Sequence, residues 1–416
     1  RHQRQPDLVN PDAMTPTLPV PIARLQARQR GMTLIELMVG MVIGLLAVLV
    51  ISQVAILYEG RKRTITSGSD AQVSGALSLM AIQRDLQDSG YGLAEGGAVG
   101  CPVRARHSSM AAGQLLRFVL APAVITDGSD GAPDRIAVLL SRPADFAVPV
   151  RVVSDHPRDG QAFGIGTGSG LGLRQGHLML AVPTTVPDPR PLASDETSWC
   201  SIFNLTATPD AESTSLAHAA DSSGPWNPDA GSTPVFPGTT GVSVAYPTGS
   251  LLLNLGTLTR RTYCISGLGD DCDSAGRPQV PLNLRQISFS SSTARDSVED
   301  LHPQVVQLQA VYGIDSSGND RIVDQWSATA PTTAAGWRQI IALRVAVVTR
   351  SVQDERRPDR SGDKVVTPDL PVWHPDGSTA EDLRVDRVVG DPWRNYRYKV
   401  YETVVPLRNM LWQAAS

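Results

Sequence analysis

Arg30-Gly31-Met32-Thr33-Leu34-Ile35-Glu36 opens the stretch that decides the fold, and an apolar run carries it on to Leu57. From Leu37 to Ile51 no residue is charged. Between Met32 and Tyr58 the only ionisable side chain besides that tyrosine is Glu36. As a helix the run rises about 40 Å at roughly 1.5 Å per residue, more than the roughly 30 Å hydrocarbon core of a bilayer. The sequence therefore predicts one membrane-spanning helix over residues 32–58. Arg24, Arg28 and Arg30 stand just before it and place that end in the cytoplasm.

Glu36 is the odd residue in this run. A carboxylate inside an apolar span costs roughly 2.5–3.5 kcal/mol on insertion scales and marks function by default. A cut at the Gly31–Met32 bond would supply a partner, the new amine of Met32. In a bundle of parallel copies, Glu36 of one subunit could pair with that amine on its neighbour. The plain alternative is an anchor whose Glu36 sits at the headgroup level.

Basic residues, then Gly31, then Met32-Thr33-Leu34-Ile35-Glu36 and about twenty apolar residues: this order resembles the class III signal of type IV prepilins. The resemblance implies that a prepilin peptidase cuts after Gly31 and that the new N-terminus, Met32, is methylated. It also implies that Glu36 recruits the subunit into a growing fibre. Met32 departs from the Phe common at the first mature position. A secretory signal peptide fits worse, because its apolar core spans only about 7–15 residues before small residues at a cut site.

The chain has 416 residues, a net charge of −4, and ordinary apolar (41%) and charged (19%) contents. That balance gives no broad footprint for nucleic acid. Length beyond the span suffices for a sizeable core. With 36 glycines, 31 prolines and 5% aromatic residues, the remainder reads as short strands joined by long loops. Cys101, Cys200, Cys264 and Cys272 form no C-x-x-C pair, so neither a zinc ribbon nor a thioredoxin motif is present. Outside the cytoplasm disulfides persist. Three pairings are open; the short loop Cys264–Cys272 with Cys101–Cys200 is the expected one, and buried free thiols are the alternative.

Residues 1–31 read as a disordered, Pro-bearing leader, with Met14 as an alternative start. The helix is expected to continue over 59–90, with Val73, Leu77, Met80 and Ala81 as its packed face, Ala76 and Leu86 on or near it, and Ser89-Gly90 as its stop. Gly60, Gly68 and Gly75 weaken this half by up to about 1 kcal/mol each. Arg61, Lys62 and Arg63 follow the span, where they could meet lipid phosphates or form a solvated helical turn.

Residues 91–416 read as one β-rich domain. Strands are expected at 115–120, 135–140, 148–153, 177–182, 258–265, 305–314, 338–350 and 396–405. Residues 183–257 read as a loop-rich, weakly structured insertion, or as a small subdomain pinned by Cys200. In the third of the late strands, Ile341, Leu343, Val345 and Val347 alternate with Ala342, Arg344, Ala346 and Val348, as in a strand buried on one face. Residues 351–392 read as a loop. Strands without helical crossovers imply antiparallel sheet.

Little here carries catalytic chemistry. The seven histidines form no H-E-x-x-H or H-x-H cluster, and no serine lies in G-x-S-x-G. The run Gly164-Ile165-Gly166-Thr167-Gly168-Ser169-Gly170 fails the dinucleotide pattern at Ser169 and is followed by no Lys. Acidic turns at 270–276 and 315–326 match a calcium loop only partly. Asn204-Leu205-Thr206 has the form of a glycosylation acceptor. No enzyme and no cofactor is expected.

Arg84-Asp85-Leu86-Gln87-Asp88-Ser89-Gly90-Tyr91-Gly92 with Cys101 after it resembles the helix end of PilW-type minor pilins. Val311-Tyr312-Gly313-Ile314-Asp315, Trp337 leading into 341–350, and Tyr401 to Leu407-Arg408-Asn409 resemble their sheet. The resemblance implies an α+β type IV pilin fold: a long N-terminal helix packed on an antiparallel β-sheet, with a large loop-rich β domain. It further implies a minor pilin that inserts in the inner membrane with its bulk in the periplasm. Such a protein primes a type IV pilus, enters it at the tip, and has other minor pilins, the major pilin, prepilin peptidase and inner-membrane lipid as partners. A minor pseudopilin of a type II secretion system, or a pilus-borne adhesin using 183–257, are the alternatives.

Overall fold

The computed structural model of the protein describes residues 31–93, 97–111, 113–142, 148–189, 197–219, 224–227, 235–238, 244–266, 272, 282–317, 320–354 and 366–411. The leader therefore lies outside the described residues, as does nearly all of the acidic turn at 270–276. The chain divides into two units, Arg1–Arg61 and Lys62–Ser416.

One helix, α1 (Leu34–Asp88), begins in the first unit and ends in the second. From Leu37 to Ile51 it is uncharged and apolar all round, and every side chain from residue 34 to 61 is exposed. That is the pattern of a helix made for lipid rather than for a protein core. Thr33 starts it. Its hydroxyl accepts from the Glu36 amide at 3.3 Å, and its carbonyl accepts from the amides of Glu36 and Leu37. Thr33-x-x-Glu36 has the spacing of a capping box.

In the second unit the helix has two unlike faces. Ser67, Ala71, Ser74, Gly75, Ser78, Ile82, Asp85, Leu86 and Ser89 are buried, at steps of one, three and four residues. Most of the expected face is the wrong one: Val73, Leu77 and Met80 are 55%, 44% and 64% exposed, whereas Leu86 is buried as expected. Periodicity shows that a stripe exists but does not say which surface covers it. Small residues let the helix backbone approach the sheet closely, and at Gly75 the Tyr401 ring occupies the space where a Cβ would stand. Gly75 is thus a contact point rather than a weakness. The helix stops where expected, with Gly90 left-handed at φ 76°.

The strands follow in chain order. First come β1 (Pro102–Ala105), β2 (Leu116–Val119), β3 (Ala123–Thr126), β4 (Arg135–Arg142) and β5 (Val150–Arg151). Next are β6 (His156–Pro157), β7 (Ala162–Gly164), β8 (Leu178–Val182), β9 (Cys200–Asn204), β10 (Ser215–Ala217) and β11 (Val244–Tyr246). Then come β12 (Leu251–Ile265), β13 (Asn283–Ser290), β14 (Arg295–Pro303), β15 (Val305–Ile314) and β16 (Gln325–Ser327). The short helix α2 (Ala334–Arg338) precedes β17 (Ile340–Arg350). Last are β18 (Val372–Trp373), β19 (Glu381–Asp382), α3 (Val385–Val389), β20 (Tyr398–Pro406) and α4 (Arg408–Leu411).

A ten-stranded sheet runs β14-β13-β12-β8-β9-β1-β2, with β4 and β5 also on β12 and β3 on β4. The fifteen-residue β12 serves several partners because its register shifts at Gly256, where φ is 59°. Its first half pairs with β8 and β5, its second with β13 and β4. All these pairs are antiparallel except β1 with β9. A second sheet, β16-β15-β17-β20, is antiparallel throughout. The largest core joins Ile82 and Leu86 of α1 to Ile136 and Val138 of β4, Tyr263 of β12, Leu308 of β15 and Val345 of β17.

Two more sequence expectations need correction. Of the two readings of 183–257, the weakly structured one fails over the described residues: they supply β9, buried throughout, paired with β8 and β1 and pinned through Cys200, as well as β10, β11 and the start of β12. And β17 is buried on both faces, not one. Tyr401, opposite Val347 in the ladder, meets α1. On the other face Glu402 takes the Trp373 indole N–H at 2.8 Å and pairs with Arg344 at 3.3 Å. The segment expected as a loop thus folds over that face and covers it.

Candidate functional site

The amino-terminal signal sits in the first unit. Gly31, Met32 and Thr33 precede the helix in non-helical conformation, and Glu36 occupies its first turn. All four residues are exposed. An acid in the first turn of a helix faces the positive end of its dipole, so Glu36 is placed favourably before any partner arrives. The Thr33 cap was legible in the Thr-x-x-Glu spacing yet is absent from the sequence reading.

In the second unit α1 is tied to β12 by a polar latch. Asp85, whose side chain is 7% exposed, takes both hydrogen bonds from Arg261 Nη1, at 2.7 and 2.9 Å. The Tyr263 hydroxyl donates to its other face at 2.6 Å. Burial raises the Tyr263 phenol, and the Asp85 carboxylate adds to that rise. Burying a charge is tolerable only when it is paired in this way. Asn409 closes the same end, its Nδ2 donating to the Ser89 carbonyl at 2.7 Å. Around the helix edge, the outward stripe of Ile65, Val73, Ala76, Leu77 and Met80 stays uncovered within the subunit.

All four cysteines are bonded. Cys101–Cys200 clamps β1 beside β9, and Cys264–Cys272 closes a short loop after β12. Asn204 of the supposed glycosylation triplet is buried, and its side chain and backbone are taken by Trp226, Asn227 and Gly176. It is not available to a transferase in the folded chain. In the turn at 315–326, Asp324 accepts the amides of Ser316 and Ser317, and Asp315 accepts that of Arg321. Among the described residues no three ligating side chains come together to hold a metal.

Two histidines scattered in sequence do meet. His156 and His218 share a 2.8 Å hydrogen bond between their Nε2 atoms, in the core formed by β6, β7, β10 and β11 with Phe163, Phe203, Phe236 and Tyr246. Burial lowers His156 to about 4, and burial together with His156 lowers His218 to about 3, so both are neutral at pH 7. Neither is hydrogen-bonded to a carboxylate, and the pair reads as part of a core. Asp134 is buried between Gly128 and β15, accepting the amides of Gly128 and Ala310. Burial pushes its carboxyl up to about 7.

Comparison with known families gives two matches. Residues 26–52 match the prokaryotic N-terminal methylation motif. Residues 272–409, about a third of the chain, match Type IV Pilus-assembly protein W, PilW. Curated proteins and solved structures gave no match. The PilW match takes in β13 to β20, including the four-stranded sheet that receives α1, while the other match holds the signal and the start of the span. These are components of pilus assembly rather than enzymes, and the two matches, at opposite ends of one chain, are together those of a PilW-type pilin.

Proposed function

We propose that this protein is a minor pilin, processed at the Gly31–Met32 bond, that primes a type IV pilus and is carried into it at the tip. In this reading the span over 32–58 holds the precursor in the inner membrane, with the leader cytoplasmic and the β domain periplasmic. Prepilin peptidase removes residues 1–31 and methylates the amine of Met32. Glu36 then pairs with the Met32 amine of a neighbouring pilin and draws the subunits together. An unpaired carboxylate in lipid costs roughly 2.5–3.5 kcal/mol, and pairing relieves much of it. That difference gives assembly a direction.

The observation that carries the reading is the inversion of α1 in the second unit. Over 67–78 its small, polar face is buried in its own subunit while Val73, Leu77 and Met80 are left open; only nearer its end does it bury large apolar side chains, Ile82 and Leu86. A helix that buries serines and exposes Val73, Leu77 and Met80 is built to complete its core with other helices. Neighbouring pilins, minor and major, are the partners this role requires. Disulfides at Cys101–Cys200 and Cys264–Cys272 suit the oxidising side of the membrane.

The test is a pair of variants in cells. Gly31 replaced by a bulky residue should accumulate as uncut precursor. Glu36→Ala should insert and be cut at the normal site, yet be missing from sheared pili. Wild-type amounts of the Glu36→Ala chain in fibres would refute the recruitment role, and mature chains beginning elsewhere than Met32 would refute the cleavage assignment.

A further inference from the structure

Two short motifs, Gln87-Asp88-Ser89-Gly90-Tyr91 at the end of α1 and Leu407-Arg408-Asn409 after β20, meet in space although 320 residues separate Ser89 from Asn409. The end of β4 joins them. Between the three lies a half-open cleft of about 370 Å³, walled among others by Gln87, Asp88, Tyr91, Ser141, Arg142 and Arg408. That volume is in the range of small-ligand sites, roughly 300–1,000 Å³.

The chemistry of the walls is uneven. Arg142 and Arg408 come from different elements, and neither makes an ion pair among the described residues. They are not spent on the helix end, because Ser89 O is already taken by Asn409 Nδ2 and Leu86 O by the Ser89 hydroxyl. Two arginines lining one cleft suit a carboxylate, which a guanidinium can bind through paired N–H donors. The same cleft holds Asp88, likewise without an ion pair, and Gln87, while the hydroxyl of Ser141 on its wall is already donated to the Leu255 carbonyl at 2.9 Å. A simple anion would find Asp88 repulsive. A ligand with a carboxylate at one end and hydroxyls at the other would use the arginines, Asp88 and Gln87, since Asp88 accepts from hydroxyls. At the rim stands Tyr91, 47% exposed, whose ring offers an apolar face to a flat hydrocarbon surface.

We propose that this cleft binds an acidic sugar, a uronic or sialic acid unit of a surface glycan. The carboxylate lies against Arg142 and Arg408, the hydroxyls against Asp88 and Gln87, and the C–H face of the ring against Tyr91. This recognition is independent of how the subunit is processed or recruited.

The test uses the full-length protein in detergent, with saturation-transfer NMR and titration calorimetry. Galacturonate and N-acetylneuraminate are the probes, with galactose and acetate as controls. The acidic sugars should bind and both controls should bind at least about tenfold more weakly. Arg142→Gln and Arg408→Gln should each weaken sugar binding about tenfold or more, the loss of one charged contact. Both arginines are exposed, so thermal melting should be unchanged and a folding defect is distinguishable. Asp88→Asn should narrow the gap between sugar and acetate. Failure of both acidic sugars to bind, acetate binding as tightly as the sugars, or undiminished binding after both arginine substitutions would each overturn the assignment.

Discussion

Removing the Asp85 carboxylate should unlatch α1 from β12. In the wild type Asp85 takes two hydrogen bonds from Arg261 and one from Tyr263. Asp85→Ala strands both donors. Breaking a fully buried ion pair costs about 3–5 kcal/mol. Arg261 is 30% exposed, however, so water recovers part of its share. The Tyr263 hydroxyl is buried and keeps only a 3.5 Å contact to the Ala81 carbonyl, so its loss approaches the about 1–3 kcal/mol of an unsatisfied group. We expect about 3 kcal/mol in total, or roughly two decades in the unfolding constant. Urea unfolding of the detergent-solubilised protein, followed by tryptophan fluorescence, reads this directly. Tyr263→Phe alone should cost about 1 kcal/mol, since Asp85 keeps Arg261. The double variant should cost less than the sum, because Phe leaves no hydroxyl to strand. A loss below about 1 kcal/mol for Asp85→Ala, or strict additivity in the cycle, would show that the latch is not what holds the helix.

Two glycines of α1 should respond in opposite directions. Gly75→Ala drives a Cβ into the Tyr401 ring and should cost about 1–3 kcal/mol, while Gly68→Ala meets nothing within 4 Å and should gain about 0.5–1 kcal/mol; melting temperatures decide. The pH dependence of stability follows from three buried groups. His156 and His218 have folded values near 4 and 3 against 6.5 for the unfolded chain, so between about 4 and 6.5 the unfolded state binds more protons and stability falls as pH drops. Asp134, raised to about 7 from 3.8, works the other way: the folded state holds the extra proton, and its contribution weakens as pH rises from about 4 to 7. Asp134→Asn should therefore steepen the rise of stability between pH 4 and 6.5 by about 1.4 kcal/mol per unit, measured by urea midpoints across that range. Finally, replacing Cys101 and Cys200 together by Ser opens a loop of sequence separation 99 and should cost about 4–5 kcal/mol, whereas opening the loop of separation 8 at Cys264–Cys272 should cost about 2.5, both read in denaturant without reductant.

How far the fold could be read from residues alone depended on the range of the interactions involved. The span, the Thr33 start and the Gly90 stop are local: each is decided within a few residues by hydropathy, capping or backbone freedom. So are β15 and β17, whose long Val- and Ile-rich runs fall within two residues of the expected ends. What failed was non-local. Cys200–Asn204 sits in a stretch whose Pro, Ser and Gly content reads as loop, yet it is buried because β8, β1 and the Cys101 bridge enclose it. His156 and His218 lie 62 residues apart, and only the β6–β11 and β7–β10 pairings bring them together.

The inverted face of α1 is the most instructive miss. Packing rules developed for a lone globular chain assign the apolar stripe to the chain's own core. Here the subunit's sheet takes Ser67, Ser74, Gly75 and Ser78, and the Tyr401 ring fills the gap that a larger residue would need. A helix that gives Ile82 and Leu86 to its own core but leaves Val73, Leu77 and Met80 open presents a second packing problem outside the subunit. Under the proposed pilin role, lipid would solve that problem before assembly and other helices after it. The same logic applies to Glu36. The helix dipole offsets part of the cost of its acid, and under the proposed recruitment role the charge of a neighbouring chain would offset the rest, so the residues least consistent with folding alone are the ones that role would use.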